Sequence, residues 1–277
     1  MLGRAGLATL EGEGMMADFP LLAVLIVAAM VLDAAAFIVL LTRARRAGLG
    51  LFAAGFASAA AAVVVRSVHV GHAPMQNLFE VFLLMGALVF PLSLFCRYVL
   101  GVGGMAFDAL LAAVVLAPAV FVFSPEPAPL PPALQSVLFV PHVAAYLAAY
   151  VVLAKATFQA GWQLITAAAS NADASAQAER SAYRMVALGF PLLTAGLVLG
   201  AVWGKQAWGD WWNWDPKELW SLVTWLVFLA YLHLRALGGR RWATAGSVLV
   251  VAGAVCILIT LFWVNLSRLF EGLHSYA

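Results

Sequence analysis

The sequence predicts an all-α polytopic membrane protein of about eight transmembrane helices, with one outer loop rich in tryptophan. Three observations carry this expectation. Of 277 residues, 65% are hydrophobic and 10% charged, with mean hydropathy +0.98, values far from those of a soluble domain. Apolar runs of the roughly 20 residues needed to cross a ~30 Å hydrocarbon core recur along the chain. The polar segments between them are short, and none could form a soluble domain of its own.

In order, the apolar segments run over 19–42, 47–69, 76–97, 100–123, 136–165, 183–203, 218–237 and 243–263. The fifth exceeds the membrane thickness and is long enough to project beyond it. "TRARRAG", "HVGHAPMQ", "SPEPAPLPPALQ", "ASNADASAQAERS", the tryptophan stretch and "ALGGRRW" separate the segments. Residues 1–18 are expected as an N-terminal segment outside, 19–263 as the helix bundle including a 203–217 loop, and 264–277 as an outer C-terminal segment. The first 18 residues lack the charged start and cleavage site of a secretory signal, so the first apolar segment reads as a retained helix, with Met15 or Met16 an alternative start.

Charge and cysteine usage exclude other classes. The 15 basic residues are dispersed and the net charge is +2, which gives no nucleic-acid surface. Cys96 and Cys256 stand in apolar segments without a C-x-x-C spacing, so they read as packing residues. With the N-terminus outside, ten Lys and Arg fall on the cytoplasmic face and five on the outer face, as the positive-inside bias requires. That orientation puts His69, His72, His142 and His274 at outer helix ends or loops, and His233 near an inner end.

Seven of the ten tryptophans lie between Trp203 and Trp225. An interfacial belt explains one or two per helix end. Trp203, Trp208, Trp211, Trp212, Trp214 and Trp220, set around Gly204 and Gly209 as turning points, are better explained by a flat apolar ligand, since each ring buries roughly 150–250 Å² at low entropic cost. "DPKE" at 215–218 reads as a helix start: Asp215 as N-cap, Pro216 in the first turn, and Glu218 closing a capping box. Capping alone accounts for Asp215, while Lys205 and Lys217 are placed to meet acidic groups on a ligand.

Imidazole is a common ligand of haem iron. His142 in "VPHVAAY" and His274 in "GLHSYA" flank the tryptophan loop and share its predicted surface. His233 is an ionisable group near the inner end of a membrane helix, which points to function. It stands about four turns, on the order of 20 Å, from Trp220, so it cannot share an iron with the outer pair. A metal at His233 needs its second ligand from solvent, substrate or another subunit. His69 and His72 read as turn residues, and Arg66 and Glu80 as an ion pair between helix ends.

"WGDWWNWDPKELWSLVTW" resembles the WWD motif of haem-handling proteins. Its continuation to "YLH", with "GHAPMQNLFE", "HVAAY" and "VNL…GLHSY", is similar to the CcsA (ResC) branch of system II cytochrome c biogenesis. "VNLSRLFEG" departs from that branch's glycine-rich spacing before its last histidine.

The resemblance implies a haem transporter and cytochrome c synthetase (haem lyase) of the bacterial inner membrane or the thylakoid. Its cofactor and cargo would be haem b. Its partners would be a CcsB (ResB)-type membrane subunit and an apocytochrome c bearing C-x-x-C-H, with thiol-reducing proteins beside them. Under it, His142 and His274 ligate an external haem, with Trp208, Trp211, Trp212, Trp214 and Asp215 around it, and His233 ligates an internal haem with a partner residue opposite. No residue is assigned as a base that activates the thiols. Two other readings compete: a CcmC-like platform that loads haem onto a separate chaperone, and a secondary transporter with an aromatic gate. The second lacks the internal repeat expected of that class.

Overall fold

The computed structural model describes residues 3–266 in backbone and 20–265 in side chains. Each expected apolar segment corresponds to a helix: α1 (Gly3–Leu40), α2 (Arg45–Val70), α3 (Leu78–Tyr98), α4 (Met105–Phe121), α5 (Phe139–Ala168), α6 (Ala172–Trp208), α7 (Pro216–Gly238) and α8 (Ala243–Leu258). A π-helical turn, Ile259–Trp263, extends α8, and no strand occurs among the described residues. Six stretches are long and apolar enough to cross a membrane; the last, Pro216–Trp263, comprises α7 and α8, and Met105–Phe121 is a shorter apolar helix. The closed backbone hydrogen bonding of helices is what hydrocarbon demands of a spanning segment.

Three boundaries differ from expectation. α1 starts at Gly3, although the first apolar segment starts at 19 and 1–18 is expected as a separate N-terminal segment. The polar stretch "ASNADASAQAERS" is mostly helical, because Asn171 caps α6 by accepting from the Ala174 N–H at 3.1 Å and alanine-rich sequence then propagates the helix. At its other end α6 runs through Trp208, so the loop begins at Gly209, whose φ of 91° makes the turn. The expected 203–217 loop is therefore 209–215, and Gly204 is a helical residue instead of a turning point.

The chain divides into two compact units. The first comprises Met1–Leu94 and Gly104–Pro129, the second Phe95–Gly103 and Leu130–Ala277. In the first, Phe90 meets Phe52 edge-on at 4.9 Å and stacks on Phe56 at 5.3 Å, joining α3 to α2. Asp33 of α1, 2% exposed, lies against Gly55 of α2, where any Cβ would collide with its carboxylate.

"HVGHAPMQNLFE" builds a clamp in the same unit. Arg66 and Glu80, both essentially inaccessible, pair through Nη2 at 2.8 Å and Nε at 2.9 Å. Arg66 Nη1 also donates to the Pro125 carbonyl at 2.5 Å, and its guanidinium lies over Phe79. Glu80 Oε2 accepts from the Gln76 N–H at 2.8 Å, while Asn77 Oδ1 accepts from the Glu80 N–H at 3.0 Å. Gly71, at φ 73°, ends α2 in the left-handed conformation, and His72 Nδ1 bonds the Ala73 carbonyl at 2.9 Å. The motif is thus a closed polar knot, as the ion-pair reading expects.

Removing one partner of a buried pair leaves an uncompensated charge, so Arg66→Met or Glu80→Leu should each destabilise by about 3–5 kcal/mol. The double substitution should cost clearly less than the two single losses added together. Thermal unfolding in detergent measures this, and additive losses would show that the two charges do not stabilise one another.

Candidate functional site

The site lies at one end of the second unit, where α5 starts, α6 ends and α7 starts. α5 and α6 run antiparallel along a glycine face of α6. A Cβ at Gly189 would stand 2.8 Å from Leu153, at Gly196 2.8 Å from the Tyr146 ring, and at Gly200 2.6 Å from Cε1 of His142. Small residues let helix backbones approach closely where lipid gives no hydrophobic incentive to associate.

His142 occupies the first turn of α5. Its Nδ1 lies 2.8 Å from the Gly196 carbonyl oxygen. A carbonyl can only accept, so Nδ1 carries the proton and the neutral ring has its lone pair on Nε2, the form that ligates a metal. Trp203 lies 5.6 Å from the imidazole at 30°, and Tyr146 meets it edge-on at 5.2 Å. Trp203 itself is 2% exposed and donates its indole N–H to the Ala133 carbonyl at 2.9 Å. Trp208 packs edge-on against Trp203 at 4.8 Å, beside Gly204, where a Cβ would make only ordinary van der Waals contact with its ring. These contacts form a fixed aromatic wall beside the histidine.

The loop then presents its other rings. Trp211 and Trp214 are 58% and 68% exposed, and Trp212 is half-buried with its ring edge-on to Trp214 at 6.0 Å. Trp214 holds φ at 57°, a left-handed conformation that costs a bulky residue of order 1–3 kcal/mol. The indole N–H of Trp212 and the side-chain amide of Asn213 are buried donors without an acceptor among the described residues.

What fixes the loop is the start of α7. Asp215 Oδ1 accepts from the Lys217 N–H at 2.8 Å, and Glu218 Oε2 accepts from the Asn213 N–H at 2.7 Å and the Asp215 N–H at 3.3 Å. The expected capping box is present. Lys205, expected to meet a ligand, donates to the Gly209 carbonyl at 2.5 Å and closes the end of α6.

His233 sits near the other end of α7, exposed, its Nδ1 bonded to the Leu229 carbonyl at 2.9 Å. That bond again leaves the lone pair on Nε2. The structure therefore joins His142 to Trp203 and Trp208 and keeps His233 apart, whereas His274 lies outside the described residues. Groups of three or more His, Cys, Asp or Glu suited to a metal ion are absent among the described residues.

Sequence reading missed one feature of this unit. Glu179, buried on α6, pairs with Arg235 Nε at 2.5 Å, and Arg240 Nε stands 4.0 Å away. Arg235 also lies over the Tyr183 ring. The hint in the sequence was an acid inside a polar stretch expected to separate two apolar segments.

The family model described as cytochrome c assembly protein matches residues 21–274. A cytochrome c biogenesis protein CcsA of Gloeobacter violaceus is 53% identical over 97 residues, 34% of this chain and 27% of the relative. Those of Microcystis aeruginosa and Trichormus variabilis are 51% and 52% identical over 94 residues, again 34% of this chain, and 28% and 26% of the relatives. The matched segments thus span little more than a quarter of each relative's length. These matches bear out the resemblance to CcsA proteins carried by the motifs. Among solved structures, a cytochrome c haem lyase CcmF has a similar fold, with TM-score 0.57 and 20% identity over 87% of this chain and 46% of its own.

Because Asp215 caps α7, Asp215→Ala should lower stability by about 1 kcal/mol and Asp215→Ser by only a few tenths. Unfolding in detergent reads both, and equal behaviour of the two variants would remove the cap from the explanation of this residue.

Proposed function

Because the chain belongs to the cytochrome c assembly protein family, we propose that it handles haem in cytochrome c biogenesis, presenting it for covalent attachment to an apocytochrome c. It is an integral membrane protein, and its role in this reading is that of the CcsA-type subunit of a synthetase that acts with a CcsB-type membrane partner. The cargo is haem b, held on the outer side between His142 and His274, with the tryptophan loop around it. His233 is the ligand of an inner site.

The observation that carries the reading is the setting of His142. An imidazole with its lone pair on Nε2, braced by the Gly196 carbonyl and flanked by Trp203, has the donor chemistry of an axial haem ligand. The exposed Trp211 and Trp214 supply flat apolar surface against which a porphyrin could pack. His233, exposed on α7, supports an inner site whose other ligand comes from a second subunit, as an isolated polar group in a membrane otherwise faces hydrocarbon.

The bound haem supplies the vinyl groups across which the cysteine S–H bonds add to give thioethers. The chain supplies position: fixing two reactants can offset several kcal/mol of a barrier. His142 and His274 would hold the haem iron and so would keep other ligands from it until the substrate binds.

Visible spectra of the complex purified with its partner test this. The wild type should show low-spin haem, His142→Ala and His274→Ala should lose the outer-site bands, and added imidazole should restore them. The inner-site signal should require both His233 and the partner. Wild-type maturation of c-type cytochromes by a stably expressed His142→Ala, His274→Ala double variant would refute the outer site. Accumulation of a haem adduct on a separate chaperone, without product cytochrome, would favour the delivery-platform reading instead.

A further inference from the structure

We infer that the glycine face of α6 is a positioning device for His142, with Gly200 deciding whether its imidazole can hold the ligating orientation; this rests on the reading of His142 as an axial ligand. Besides the edge-on Tyr146 ring of α5 itself, three contacts from α6 constrain the imidazole. The Gly196 carbonyl takes the Nδ1 proton at 2.8 Å, which sets the tautomer. Trp203 covers it at 5.6 Å, and Trp203 is itself pinned through its N–H to Ala133. Cε1, the carbon between the two nitrogens, occupies the space where Gly200 lacks a side chain: a Cβ there would stand 2.6 Å from Cε1 and 2.9 Å from Nδ1.

Gly196, Gly200 and Trp203 fall on one side of the helix at spacings of four and three, so α6 supplies acceptor, clearance and wall from a single rigid element. The acceptor contributes electronically as well as sterically. A ligating imidazole whose other nitrogen donates to a carbonyl is more basic and fixed in rotation, and loss of such outer partners weakens metal sites about 10–100-fold.

A methyl group at Gly200 would force a movement. α6 is packed along its length against α5, so the side chain has to give way, and rotation about χ1 or χ2 breaks the bond to the Gly196 carbonyl. The same helix face provides its own control. A Cβ at Gly189 would meet Leu153 at 2.8 Å, a comparable intrusion about three turns away that touches no histidine.

The experiment compares Gly200→Ala with Gly189→Ala in the full complex with its partner, scoring retained haem, the low-spin spectrum with and without imidazole, and thermal unfolding. Gly200→Ala should retain about tenfold less outer-site haem, with the low-spin bands returning on added imidazole. Gly189→Ala should lose comparable thermal stability and keep its spectrum.

If Gly200→Ala does not accumulate, Trp203→Leu, which removes the wall and leaves the glycine, should show the same imidazole-reversible loss. Wild-type spectra in every accumulating variant of Gly200 and Trp203 would overturn the inference, as would equal loss in Gly189→Ala. His142→Ala separates the two levels. If it too retains the low-spin haem, the assignment of the ligand has failed; if it alone loses haem, the ligand stands and the positioning role of α6 has failed.

Discussion

How closely α5 can approach α6 is the constraint on which the site end of the second unit depends. Water offers no incentive for two apolar helices to pair inside a bilayer, so contact quality must do so. Gly189, Gly196 and Gly200 recur at seven and four residues, and their partners Leu153, Tyr146 and His142 recur at seven and four in the opposite direction. That reversal is the antiparallel register itself, written in small and large residues. A histidine placed at the end of such a register inherits its precision: the imidazole is located by the same fit that places Leu153 in the body of the pair. The aromatic wall follows, since Trp203 lies three residues past Gly200 and Trp208 folds back over Gly204.

Two ion pairs among the described residues show how the chain accommodates charge. Arg66 and Glu80 belong to one short stretch of sequence, and every strong donor and acceptor around them comes from that stretch or from the 125–129 segment. Desolvating both groups is costly, so satisfaction must be nearly complete for the pair to persist. Glu179 differs. Its carboxylate is buried while Arg235 remains partly accessible and Arg240 mostly so, and the pair fastens the early part of α6 to the end of α7. One arrangement closes a turn; the other ties two helices of the second unit at the end away from His142.

The helices themselves were legible because hydropathy reports the one property that lipid selects, and all eight apolar segments became helices. The misreadings share a cause. α6 begins at Ala172 because Asn171 caps it and alanine sustains it, yet by composition the stretch resembles a linker. Trp203 to Trp208 belong to the same helix, although tryptophan and glycine are indifferent or poor helix formers; packing against His142 and Phe139 overrides that preference. The cap at Asp215 and the pair at Arg66 were legible since both are local. The bond from His142 to Gly196 spans 54 residues, and nothing in either neighbourhood announces it. Candidate ligands could be picked by residue type, whereas what orients them depended on register.

The loop sets the remaining problem of how exposed tryptophans can be held in place. Trp214 adopts a backbone conformation that a glycine would take at no steric cost. An interfacial belt requires only that a ring reach the headgroup layer, which an unstrained backbone achieves equally well, so belt chemistry does not account for the strain. The hydrogen bonds beside it do. Glu218 reaches back to the N–H groups of Asn213 and Asp215, and to present both to one carboxylate the intervening residue, Trp214, must turn left-handed. Strain at one tryptophan is thus offset by a helix start that accepts two backbone donors at once. The outcome is a loop whose rings are exposed but not free to wander, beside a wall whose innermost ring is already buried.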